Sequence, residues 1–135
     1  MSVHTALQLA YLFNIVVLAP VLWFLYRHAG PGEIKVIGGG VANSDGLRLL
    51  LASLWLAVLL LSLVGLLHPE VMVPLLMFQV VYKLAYLLTY VAPAVARDGW
   101  RAAPPGITAV FVAIVVAWPF LIARSLDALV PGNAL

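Results

Sequence analysis

LRLLLASLWLAVLLLSLVGLL, residues 47–67, decides the fold. After Arg48 its apolar run is interrupted only by Ser53, Ser62 and Gly65. A helix of about 20 apolar residues is what crosses the hydrocarbon core of a bilayer. Three further stretches have this character, at about 5–26, 70–95 and 105–124. The whole 135-residue chain is 65% apolar and 9% charged, against about 45–50% and 25% in soluble domains. Such a chain cannot cover a water-facing surface, so its outer face must meet lipid. The sequence predicts an all-α protein, a single integral membrane four-helix bundle that passes repeatedly through a bacterial inner (cytoplasmic) membrane.

The connections orient these helices. His68-Pro69 joins the second and third, and ARDGWRAAPP (96–105) joins the third and fourth, so consecutive helices are predicted antiparallel. The longest connection, 28–45, contains most of GEIKVIGGGVANSDG (32–46). Its three consecutive glycines argue against helix, and residues 33–37 suit one short strand. It lacks the GK[ST] ending of a phosphate loop and the G-x-G-x-x-G of a dinucleotide site, so it reads as a flexible cytoplasmic loop. Ser44 or Asp45 is placed to cap the second helix.

Arg27, Lys35, Arg48, Arg97 and Arg101 fall on one side of the spans and Arg124 on the other. Positive loops stay in the cytoplasm, which puts both termini on the extracytoplasmic side. The first apolar run is too long for a signal peptide and lacks a basic leader, so it reads as the retained first helix. Trp23 and Trp100 then lie near the inner interface and Trp118 near the outer leaflet, with Trp55 deeper, as packing. Pro20, Pro74, Pro93 and Pro119 sit inside spans, where proline kinks are tolerated.

Lys83 is the exception to this pattern. It lies near the midpoint of the third span, about twelve residues from the nearer end, or roughly 18 Å of helix, beyond the reach of a snorkelling lysine. An unpaired ammonium there costs about 2.5–3.5 kcal/mol on insertion scales. The five carboxylates, Glu33, Asp45, Glu70, Asp98 and Asp127, all lie at or beyond the span ends. Lys83 must therefore be neutral, hydrated, bound to a ligand or paired with another chain.

Helical geometry places Gln79, Tyr86 and Tyr90 within about 60° of Lys83, with Tyr82 about 100° away. On the far side Ala85, Thr89, Ala92 and Ala96 form a small-residue face, matched by Ala109, Ala113 and Ala117 on the fourth helix. These two faces are expected to pack together. His4, Gln8, Tyr11 and Asn14 share one face of the first helix, with Asn14 at the depth of Lys83. If the faces meet, they line a polar path to the outside, floored by Lys83 and Asn14. The structural alternative is that Asn14, Gln79 and the tyrosines only hydrogen-bond between helices.

Other chemistry is excluded or weak. The absence of cysteine removes disulfides, thiol catalysis and iron–sulfur ligation. A net charge of +2 without a basic cluster gives no nucleic-acid surface. No two histidines sit at mid-membrane depth for haem. His4, His68 and Glu70 are the sole metal candidates, without a spacing motif. No hydrolase constellation appears, so enzyme activity is disfavoured and no cofactor or metal is expected.

The segment from Arg48 to Pro93, with GLLHPE (65–70) and FQVVYKLAYLLTYVAP (78–93), resembles small bacterial four-helix membrane proteins, broadly the DoxX-like group. The likeness rests on Gln79, Tyr82, Lys83 and Pro93. It implies a four-helix bundle and carries no settled activity. The sequence therefore points to a protein that binds or transports a small anionic or amphipathic molecule (a lipid, quinone-like compound or carboxylate) at Lys83, Asn14, Gln79, Tyr82 and Tyr86. The alternative is a structural or accessory subunit whose Lys83 pairs with an acid of a partner membrane protein. A homodimer is the oligomer a transporter of this size would favour.

Overall fold

The computed structural model describes residues 1–27 and 42–129. The expected strand at 33–37, and all but the last residues of the glycine-rich loop, lie outside the described residues. Four helical stretches are long and apolar enough to cross a membrane. They are α1 (Val3–Arg27), α2 (Asp45–Leu67), a third built from α3 (Val73–Tyr86), a π-helical turn (Leu87–Val91) and α4 (Ala92–Asp98), and α5 (Pro105–Leu129). A 3₁₀ turn, Trp100–Ala102, precedes α5.

Helices are the expected solution for such segments, because each satisfies its own backbone groups where water is absent. Between 22% and 33% of each spanning window is buried within the protein. Much of the remainder, including Leu9, Val16, Leu54, Leu60, Val81, Leu88, Val116 and Phe120, is exposed and forms the lipid-facing surface of a multi-pass membrane protein.

Two boundaries and the bonding of one cap differ from the sequence reading. The third span starts at Val73, not residue 70, with Pro74 in its first turn, where the fixed proline φ suits a helix start and no donor is lost. The fourth runs on to Leu129. Ser44 does take the N-cap position of α2, but its side chain makes no capping bond. Asp45 instead accepts from Arg48 at 2.9 Å.

The π turn has a local cause. Pro93 has no N–H for the carbonyl of Thr89, and its ring crowds that carbonyl. The helix widens there, and the Ala92 N–H reaches back five residues to the Leu87 carbonyl. The Thr89 hydroxyl donates to the Ala85 carbonyl at 2.7 Å, a side-chain bond within the widened stretch. The turn begins four residues after Lys83.

α1 packs extensively on α2 and α3 on α5, while α1–α5 and α2–α3 touch sparingly. The α1–α2 pair is tied at both ends. Arg48, 4% exposed, donates to the Leu25 carbonyl, one of the last-turn acceptors that α1 cannot satisfy itself. At the other end Gln8 donates to the Leu66 carbonyl at 3.0 Å, and the Tyr11 hydroxyl to the Pro69 carbonyl at 2.8 Å.

The α3–α5 contact corrects one expectation. Ala85, Thr89, Ala92 and Ala96 are exposed, as are Ala109, Ala113 and Ala117. The buried face of α5 is Ile107, Phe111, Ile114 and Trp118, and it meets the Gln79–Lys83 side of α3. The polar strip gains hydrogen bonds across the helices there, which alanine stripes cannot supply.

Gly65 shows why one position tolerates no side chain. A Cβ built there would lie 2.7 Å from Tyr11 Cγ, and the Tyr11 ring is fully buried. Gly65→Ala is expected to cost about 1–3 kcal/mol by overpacking, read as a lower Tm in detergent. The double variant Gly65→Ala/Tyr11→Ala should lose less than the sum of the single losses, because the clash is shared.

Candidate functional site

The site is built around Lys83, which α3 turns inward to 3% exposure. Its Nζ donates to the Tyr82 hydroxyl. It lies 4.2 Å from the Tyr82 ring centroid and 4.6 Å from that of Phe111. Ring faces attract a cation by about 0.5–2 kcal/mol, which offsets part of the cost of burying it. Among the described residues the ion pairs are His4–Glu70 and Arg48–Asp45. Neither involves Lys83, so no carboxylate of these residues neutralises it.

Lys83 lines a cavity of about 180 Å³. Phe13, Asn14, Val17, Leu18 and Val21 of α1 form one wall, and Gly106, Ile107, Val110, Phe111 and Ile114 of α5 another. Trp55 of α2 and Gln79 of α3 complete it. For scale, a dry cavity of about 150 Å³ accepts benzene. The lining is apolar apart from Lys83, the two amides and the Trp55 indole. That indole N–H lies near the Tyr82 hydroxyl without completing a hydrogen bond.

Phe111 organises the aromatic side. Trp55 meets it edge-on at 6.4 Å, Tyr82 at 6.0 Å and Tyr86 at 5.4 Å between ring centroids. The opposite side is an amide network. Gln79 Oε1 accepts from Asn14 Nδ2 at 3.1 Å and from Trp118 Nε1 at 3.0 Å. Asn14 Nδ2 also donates to Ser62 Oγ at 3.2 Å, and the Ser62 hydroxyl donates to the Val58 carbonyl at 2.7 Å. All four spans meet in this network.

Among the described residues, the α1 side chains expected to line a polar path toward the outside are engaged with the end of α2 and the turn after it instead. The three α1 residues that climb from Asn14 are each held by the end of α2 or the turn that follows it. Gln8 and Tyr11 donate to its carbonyls, and His4 Nδ1 donates to Glu70 Oε1 at 2.8 Å. That hydrogen bond, more than any other cause, holds the Glu70 carboxyl below its ordinary range. The Tyr11 ring is fully buried, against Gly65 of α2. His68 does not join His4 and Glu70, and among the described residues no three metal-ligating side chains gather.

Of the five residues assigned from sequence, Lys83, Asn14 and Gln79 line the cavity. Tyr82 touches Lys83 directly, although it is 100° round the helix, because its long side chain reaches back. Tyr86 packs on Phe111 and stacks on Tyr90 at 5.3 Å, and it is not part of the lining. Trp118, Ser62, Trp55 and Phe111 escaped sequence reasoning as site residues. Trp118 reads as an interfacial belt residue by depth, yet it is buried and bonded to Gln79. Its signal was the spacing of Ile107, Phe111, Ile114 and Trp118, one face of one helix. No protein-family model matches the chain, and comparisons with characterised proteins and with solved structures find no match.

Proposed function

We propose that this protein is an antiparallel four-helix bundle of the bacterial inner membrane, with both termini extracytoplasmic, that binds or transports a small anionic or amphipathic molecule at Lys83. One observation carries the reading: a buried ammonium without a carboxylate partner among the described residues lines an apolar cavity large enough for a small molecule. A bound anion supplies the missing charge, beside the Asn14 and Gln79 side chains that line the same cavity. Pairing with an acid on a partner subunit is less favoured. A side chain from outside would have to reach a lysine that is 3% exposed.

The test is native mass spectrometry of the detergent-released protein, wild type beside Lys83→Gln. A discrete small-molecule or lipid adduct on the wild type alone is expected. A second protein chain lost in the variant would support the subunit reading instead, and identical bare masses would end both. The topology is checked separately, since the chain has no cysteine. Ser2→Cys should react with a membrane-impermeant maleimide on intact spheroplasts, and Lys35→Cys only after permeabilisation. The reverse pattern would invert the orientation.

A further inference from the structure

We infer that the occupant of the Lys83 cavity is a long-chain fatty acid, which enters sideways from the lipid between α1 and α5 and places its carboxylate on Lys83. This rests on the anion-binding reading and names the ligand class and route.

The route follows from what is closed and what is open. The extracytoplasmic end is shut by the Tyr11 ring and by the bonds of Gln8, Tyr11 and His4. The cavity lies between α1 and α5, which touch sparingly. Its rim there is apolar. Phe13 is 39% exposed, and Val17, Val21 and Val110 are partly exposed. These residues lie within spanning segments, so the mouth opens along hydrocarbon, and exposed Gly106 in the first turn of α5 carries the lining to the end of that span. A water-soluble anion that reached Lys83 would still pass an apolar lining, at a steep desolvation cost. A lipid-borne acid is already there.

The class follows from charge and size. One cation balances one negative charge, and a dianionic phosphate monoester would leave an uncompensated buried charge. Two carboxylate oxygens suit the donors on this side of the cavity. The Lys83 ammonium offers three donors, one of them to Tyr82, and the Trp55 N–H finds no acceptor among the described residues. About 180 Å³ holds a carboxyl group and its first few carbons, so a longer chain must leave through the α1–α5 mouth and lie along the exposed apolar faces.

The test uses the full-length protein in detergent and radiolabelled palmitate in a scintillation proximity assay. Saturable binding that competes with oleate but not with hexadecanol is expected. Lys83→Gln should weaken it by at least about tenfold, and so should Val17→Trp or Val110→Phe, which fill the mouth, tenfold being about 1.4 kcal/mol. Each variant is first checked for an unchanged helical circular dichroism spectrum. Using both Val17→Trp and Val110→Phe guards against either one failing to fold. Unchanged palmitate affinity in the mouth variants would overturn the lateral route. Lys83-dependent binding of benzoate without binding of palmitate would overturn the fatty-acid class and leave the anion site standing. Absence of Lys83-dependent binding for both would overturn the site itself.

Discussion

Lys83→Met should raise the stability of the ligand-free protein by about 1 kcal/mol, what remains of an insertion penalty of about 2.5–3.5 kcal/mol for a central lysine once its local contacts are subtracted, while abolishing anion binding. Methionine has nearly the same length and fills the same space without an ammonium to desolvate. The interactions lost are the hydrogen bond to Tyr82 and the contacts with the Tyr82 and Phe111 rings. A net hydrogen bond contributes about 1 kcal/mol, and the ring contacts offset part of the remaining cost. Burial without a carboxylate outweighs both. The measurement is Tm in detergent, with and without palmitate. Wild type should gain stability on adding the acid, because a ligand that binds only the folded state stabilises it. Lys83→Met should start higher and gain nothing. A lower starting Tm for Lys83→Met would mean that the lysine is satisfied as it stands, and that it serves packing and not binding.

Gln79 should separate structure from charge. Gln79→Leu removes the acceptor shared by Asn14 and Trp118, leaving two buried donors to find new partners. Unsatisfied buried groups cost about 1–3 kcal/mol each. Hydrogen bonds between spanning helices average about 0.6 kcal/mol because the reference state also finds partners. Between these scales, a loss of about 2 kcal/mol is expected. Gln79→Glu should behave oppositely. Its carboxylate can accept the same two bonds, and it lies one helical turn before Lys83, the favourable order for an acid–lysine pair. It supplies the counter-ion that Lys83 lacks among the described residues. The expected result is near-native stability with loss of palmitate binding, since the internal carboxylate takes the site. Retained palmitate affinity in Gln79→Glu would show that Lys83 is not the group that holds the acid.

Much of this protein was legible in one dimension. Four spans follow from the bilayer's thickness and the absence of water within it, which leave an apolar chain little choice but helix. The isolation of Lys83 among the described residues was legible from where the carboxylates stand in the sequence, since no fold carries Glu70 to mid-helix. Periodicity alone put Gln79 and Lys83 on one face, and depth alone matched Asn14 to them. What the sequence could not decide was which faces meet. Alanine stripes suggested one α3–α5 contact, and the structure buries the other face. Apolar side chains all tolerate lipid, so hydropathy does not distinguish a lipid-facing leucine from a packed one. Shape and hydrogen bonding make that choice. Tyr11 seats against Gly65 and bonds the turn after α2, Trp118 is bonded to Gln79, and α1 and α5 touch only sparingly beside the cavity. Each of these depends on atoms from segments far apart in the chain, so only the assembled tertiary structure sets the cavity and its mouth.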